Sequence, residues 1–195
     1  MKKIEHVYLE ILHNAMEKKV SSLTQSYLSK ELGLSLSTVN LALDPLRRMN
    51  AVEVKQRGLI IKDPKKILYY WASIRNLDKD IIYRTRAGKP IKKIESEMPS
   101  SVIYTSFTAY KFKFEDVPAD YSEVYVYAET DEIMKRFPPN TNTPNVFVLK
   151  KDKVMSKYGA TVTSANLFVD LWNQREWYAK DFLKALEVRL HGILE

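Results

Sequence analysis

His6, Glu10, His13 and Glu17 follow one another at helical spacing, so two imidazoles and two carboxylates share one stripe of a helix. Ligands of those types at that spacing could hold a divalent metal. The apolar residues of the same segment, Ile4, Val7, Tyr8, Ile11 and Ala15, fall on the opposite face. The stripe therefore reads as the solvated side of an amphipathic helix with two i,i+4 pairs, and no metal is expected. His191 stands alone near the C-terminal end. The pairs Asp116 with Asp120 and Asp131 with Glu132 lack the further carboxylate on a strand that metal-dependent nucleotidyl transfer requires. There is no cysteine, which closes thiol catalysis, disulfides and thiolate metal sites together. The 5 glycines form no phosphate-cradling loop, and no serine sits in a nucleophile-elbow motif. Trp71, Trp172 and Trp177 lie in helical patterns and read as core or interface residues. Neither an enzyme nor a cofactor is expected.

What remains is charge. The net charge is +7, and it is unevenly placed. Residues 1–93 hold 19 Lys and Arg against 9 Asp and Glu, whereas residues 94–195 hold 12 against 15. Such asymmetry suggests that the first half meets a polyanion. A lysine-rich surface kept soluble by its charge is the plainer alternative. The polar side chains suited to reading a polyanion lie in LGLSLSTVNLALDPLRRMN, residues 32–50. Ser37, Asn40, Leu41 and Asp44 point outward there, with Thr38 nearer the turn. Asn40 suits a bidentate pair with adenine, and the hydroxyls suit phosphates or base edges. Asp44 would repel phosphate unless Arg47 or Arg48 neutralises it. Lys55 and Arg57 flank a turn at Gly58, Lys30 lies near the earlier turn, and Lys62, Lys65 and Lys66 follow. Lys65 and Lys66 read as a solvated helix face. Arg84, Arg86, Lys89, Lys92 and Lys93 continue the basic run, as a second backbone contact or a basic linker.

These residues need elements to hold them. Residues 4–15 form the first amphipathic helix. SSLTQSYLSKELG carries a second, capped by Ser22 with Gln25 or by the rival Thr24, and stopped at Gly33. Ser35 caps the third, with Val39, Leu43, Leu46 and Met49 inward. Pro45 sits inside that helix, where proline costs about 3 kcal/mol. Either the helix kinks and continues, or it stops near Leu43 and Asp44 caps a fresh turn; the unbroken inward phase favours continuity. AVEVKQRGLIIK reads as a β-hairpin, and Asp63-Pro64 opens another helix. Helix, helix-turn-helix, hairpin and helix in this order predict a winged helix over residues 1–76, with Ser35, Ser37, Thr38, Asn40, Leu41, Arg47, Arg48, Lys55 and Arg57 meeting double-stranded DNA.

Residues 77–195 have another rhythm. β-prone runs lie at 80–86, 101–107, 123–129 and 145–151, and helical patterns at KPIKKIESEM, TDEIMKRF, 164–173 and about 175–194. The fold class expected is α+β, a winged helix-turn-helix followed by a mixed α/β domain. FPPNTNTPN reads as its most mobile loop. Trp172, Trp177, Tyr178 and Phe182 either face a partner, as in a homodimer, or fill the domain's own core. The N-terminus is too charged for a signal peptide, and no apolar run approaches a membrane span. A cytoplasmic location without a membrane partner is expected.

RGLIIKDPKKILYYWA (57–72), VIYTSFTAYKF (102–112), SEVYVYAE (122–129), NVFVLKKD (145–152) and VTSANLFVDLWN (162–173) together resemble the AbiE-type antitoxins of type IV toxin–antitoxin, or abortive infection, systems. The resemblance implies a winged-helix transcription regulator that represses its own operon. Its toxin would be a nucleotidyltransferase linked to it functionally, without implied direct contact, and the family carries no shared catalytic residues. This chain departs from the pattern in Pro45 and in the sparse basic content of the reading helix. The rival from another class is a protein-interaction adaptor built on a degenerate winged helix.

Overall fold

The computed structural model describes residues 1–56 and 58–194, the last two of these by backbone alone. Arg57, expected at the hairpin tip, lies outside the described residues. The chain is mixed α and β and divides into two units. Unit 1 comprises Met1–Arg75 together with Thr163–Val169 and Glu187–Glu195; unit 2 comprises Asn76–Val162 and Asp170–Leu186. Two stretches from the C-terminal part thus belong with the N-terminal one, and the division is not a single cut near residue 76. Among the described residues no helix is long and apolar enough to cross a membrane.

Unit 1 begins with α1 (Lys3–Met16), then β1 (Ser22–Leu23), α2 (Gln25–Leu32) and α3 (Leu36–Arg48). The hairpin β2 (Val52–Lys55) and β3 (Gly58–Ile61) leads into α4 (Pro64–Ile74). The strands form an antiparallel sheet in the order β1-β3-β2, with Val54 opposite Leu59 and Leu23 opposite Leu59 on its other side. Local chemistry sets the boundaries. Thr24, not Ser22, caps α2, its Oγ1 accepting from Tyr27 N–H at 2.9 Å. Gly33 ends α2 at φ 61°, a left-handed conformation that glycine adopts without strain. Asp63 caps α4 through Lys66 N–H at 2.9 Å, with Pro64 in the first turn. Ser22 lies in β1, which the sequence pattern does not reveal.

α1 is central to unit 1. Val7, Tyr8 and Ile11 are buried as expected, with Ile4 and Ala15 half-buried, but Leu12, Glu5, His6, Glu10 and Asn14 are buried as well. The first half of the polar stripe, His6 and Glu10, is therefore buried, whereas His13 is half-buried and Glu17 exposed. Glu10 accepts from Asn14 Nδ2 at 2.8 Å and from the Tyr27 hydroxyl at 2.9 Å. Glu17 accepts from the backbone N–H of Ser164 at 2.7 Å, where the returning segment 163–169 meets α1. Of the two expected i,i+4 pairs, His13 with Glu17 forms at 2.9 Å. On another side, Glu5 accepts from Arg75 Nη1 at 3.2 Å and from Trp71 Nε1 at 3.3 Å, all three side chains being buried. A buried carboxylate survives because charged and neutral donors satisfy it.

Unit 2 holds a sheet in the order β4-β7-β6-β5, from β4 (Ile81–Thr85), β5 (Ile103–Thr105), β6 (Val124–Ala128) and β7 (Val146–Lys150). β6 and β7 are parallel, joined through α7 (Thr130–Arg136), while the outer pairings are antiparallel. All five β6 residues are buried, which explains the unbroken apolar run VYVYA. Val124, Val126, Val146 and Val148 pack with Ile94, Met98, Ile133 and Phe137 on one face. Ile94 belongs to α5 (Ile91–Glu97). On the aromatic side, Phe107 lies 5.0 Å from Phe182, in contact with Tyr125 and Tyr178 as well. Phe107 belongs to α6 (Ser106–Phe114), a helix where the sequence pattern predicts the end of a strand. α8 (Ser164–Trp172) and α9 (Ala179–Leu194) complete the chain. The 137–145 loop is tied at both ends: the Phe137 and Pro138 carbonyls accept from Tyr83 and Thr85 hydroxyls, and buried Asn145 bonds Ala87 in both directions.

Candidate nucleic-acid interface

α3 carries the expected reading face. Val39, Ala42, Leu43 and Leu46 are buried, so its opposite side is fixed outward. The helix runs unbroken from Leu36 to Arg48 with Pro45 inside it. Pro45 cannot donate to the Leu41 carbonyl, but Leu41 is 68% exposed, so water can satisfy that oxygen. The proline sits on the margin of the buried side, which is where a lost backbone bond costs least. The helix therefore continues, as the phase of the inward residues requires.

Ser35 is the N-cap. Its Oγ accepts from Thr38 N–H at 3.1 Å and lies 2.9 Å from the Thr38 hydroxyl. Both side chains are therefore committed to holding the helix start, where the dipole favours anions. Ser37, Asn40 and Leu41 are exposed and Thr38 is half-buried. Asn40 Oδ1 accepts from Arg47 Nη2 at 2.9 Å, two turns along. That bond uses one acceptor lone pair and leaves the other, with both Nδ2 hydrogens, for a base edge. Arg48 Nη2 pairs with Asp44 Oδ2 at 2.7 Å, the neutralisation that an acidic residue on this face needs. Arg47 is thus the guanidinium of α3 held by a neutral partner.

The hairpin lies next to this helix start. The N-cap Thr24 with Gln25 and Ser26 of α2, Leu36 of α3, and Lys55, Gln56 and Gly58 of the hairpin line one concavity of about 460 Å³. The starts of two helices and a lysine converge on it. Lys55 lies 3.8 Å from Glu53, which pairs more closely with Lys62 at 2.9 Å. The Glu53 carboxyl is held below its usual range, chiefly by the Lys62 hydrogen bond. Lys66 is drawn to Asp63 at 3.7 Å and to the Met49 carbonyl at 3.3 Å. Lys62 and Lys66 are accordingly structural partners.

The later basic run disperses. Lys89 and Lys93 both pair with Glu97, at 2.5 and 3.5 Å, while Arg84 and Arg86 stay exposed. In unit 2 buried Glu95 accepts from Lys111 at 2.5 Å, Tyr121 at 2.5 Å and Thr108 at 3.0 Å. Buried Asp170 accepts from Thr105 and Tyr127. No sequence motif marks either, because their partners come from distant positions. The aromatics of the closing helices and of the turn between them divide: Tyr178 and Phe182 are core, whereas Trp172 and Trp177 are exposed, and Trp177 lies in that turn rather than in the expected helix. No family model, curated protein or solved structure matches the chain.

Proposed function

We propose that the chain is a DNA-binding transcription regulator that reads duplex DNA with α3 in the major groove and the β2–β3 hairpin alongside it as a wing. The observation that carries this reading is the outward face of α3, which presents Ser37, Asn40, Leu41 and Arg47, while Leu36 at its start lines a concavity shared with the start of α2 and the hairpin. Order of elements and sheet order β1-β3-β2 support the winged-helix assignment. Ser35 and Thr38 hold the helix start toward the phosphate backbone, Asn40 reads adenine, Leu41 meets a thymine methyl, and Arg47, Arg48, Lys55 and Arg57 supply positive charge. With the resemblance to AbiE-type antitoxins, the same proposal makes the chain the autorepressor of a toxin–antitoxin operon, linked functionally to its toxin with no direct contact implied. Retardation of a duplex from the chain's own upstream region over a salt series tests this. Phosphate contacts require a steep loss of affinity as salt rises. If no duplex is retarded even at low salt, the DNA reading fails and an adaptor that binds protein takes its place.

A further inference from the structure

The two edges of the sheet in unit 2 are treated differently. The outer side of β5 is closed by the chain itself: Tyr104 N–H donates to the Ala160 carbonyl at 2.9 Å, and Val162 N–H donates to the Tyr104 carbonyl at 3.0 Å. β4, at the other edge, has β7 as its ladder partner and no strand on its outer side among the described residues. An open edge offers unpaired backbone donors and acceptors to another strand. Exposed apolar surface accompanies it. Ile82 on β4 is 46% exposed, and Trp177 is 74% exposed. The turn bearing Trp177 is held to this region by the Arg175–Asp78 ion pair and by the Tyr125 hydroxyl, which donates to Glu176 at 2.9 Å. Tyr125 stacks at 4.4 Å on Phe147, the cross-strand neighbour of Arg84. Tryptophan, arginine and a half-exposed aromatic are the residue types that carry protein interfaces.

The charges along the edge choose the occupant. Asp78 and Asp80 precede β4, and Arg84 and Arg86 occupy and follow its second half. The edge is therefore acidic at one end and basic at the other. We infer that it pairs with a second copy of this chain, antiparallel about a two-fold axis at Tyr83. That register sets Asp80 opposite Arg86 of the second copy, twice by symmetry, and Ile82 opposite the aliphatic stem of Arg84. Centring one residue later sets Arg84 on Arg84, and parallel addition sets like charges together; both are repulsive. The bulge between Ile81 and Tyr83 and the exposed arginines also discourage indiscriminate strand addition. Centring one residue earlier, at Ile82, also matches charges, Asp80 with Arg84 and Asp78 with Arg86, but it draws on Asp78, which Arg175 of the same chain already holds. The Tyr83 register leaves that pair intact and supplies two copies of unit 1 to a palindromic site.

Sedimentation of the full chain without DNA tests this separately from the DNA reading. The natural chain sediments as a dimer at micromolar concentration. Arg86→Asp and Asp80→Arg each weaken the dimer by about tenfold or more, because both cross-pairs become repulsive. An equimolar mixture of the two variants dimerises again, since each then meets its opposite. A monomeric natural chain, variants that stay dimeric, or a mixture of folded variants that stays monomeric overturns the inference. Should Asp80→Arg fail to fold by circular dichroism, exposed Arg86→Asp decides alone: an unweakened dimer refutes the pairing.

Discussion

Replacing Asp44 by Asn should make the protein a tighter and less discriminating DNA binder. Asp44 pairs with Arg48 at 2.7 Å, with the two side chains 49% and 79% exposed. An exposed i,i+4 pair of this kind contributes only about 0.3–0.5 kcal/mol to the helix, so the fold survives its loss. The effect on binding is larger. Asp44 stands on the outward face of α3, where it opposes an approaching phosphate and holds the nearest guanidinium to itself. A unit charge about 4 Å away in water amounts to about 1 kcal/mol, which is roughly a fivefold gain in affinity at low salt. Releasing Arg48 to one further phosphate steepens the salt dependence by about 0.9 in the log–log slope. Fluorescence anisotropy of a labelled duplex, titrated at several salt concentrations, measures both quantities. Unrelated duplexes should gain as much as the operator, because phosphate carries no sequence. An unchanged slope with unchanged affinity would refute the placement of α3 against DNA, since a distant carboxylate has no such influence.

Three further outcomes are expected. Asn40→Ala relaxes discrimination at one base pair by about 1–3 kcal/mol, measured by competition between operator variants, while affinity for random duplex stays the same. Glu5→Ala leaves the Arg75 guanidinium buried without its carboxylate, and urea unfolding should show a loss of about 3–5 kcal/mol, whereas Glu5→Met with Arg75→Met restores most of it. Burial raises the Glu123 carboxyl above its usual range, with the charge of Glu176 adding to the effect. A raised folded pKa means stability that is present at acid pH and is lost as pH climbs through that raised value. Glu123→Gln should therefore lift the thermal midpoint near neutral pH and flatten its fall between acid and neutral, as followed by circular dichroism melts; a steeper fall would reverse the assignment.

The sequence by itself determined what depends on near neighbours. Ser35, Gly33 and Asp63-Pro64 end or start helices through bonds within a few residues, so their roles could be read directly. The β2–β3 hairpin and the four strands of unit 2 follow from β-prone runs broken by turn residues, and α3 continues through Pro45 because its inward residues stay in phase. What depends on distant partners could be decided only by tertiary structure. α6 is helical although Phe107, Tyr110, Phe112 and Phe114 prefer strands, because its aromatic residues gain more by packing on the far face of the sheet than propensity withholds. β1 is two residues long and exists only by pairing with β3. The polar stripe of α1 reads as solvated because periodicity reports one apolar face, not what covers the other. Segment 163–169 returns from far along the chain to bond exposed Glu17, Tyr27 and Asn14 bond Glu10, and Trp71 and Arg75 bond Glu5, so the buried carboxylates Glu10 and Glu5 are held by hydrogen bonds in the interior. Burying them requires donors brought from distant positions, and no local pattern specifies which donors arrive.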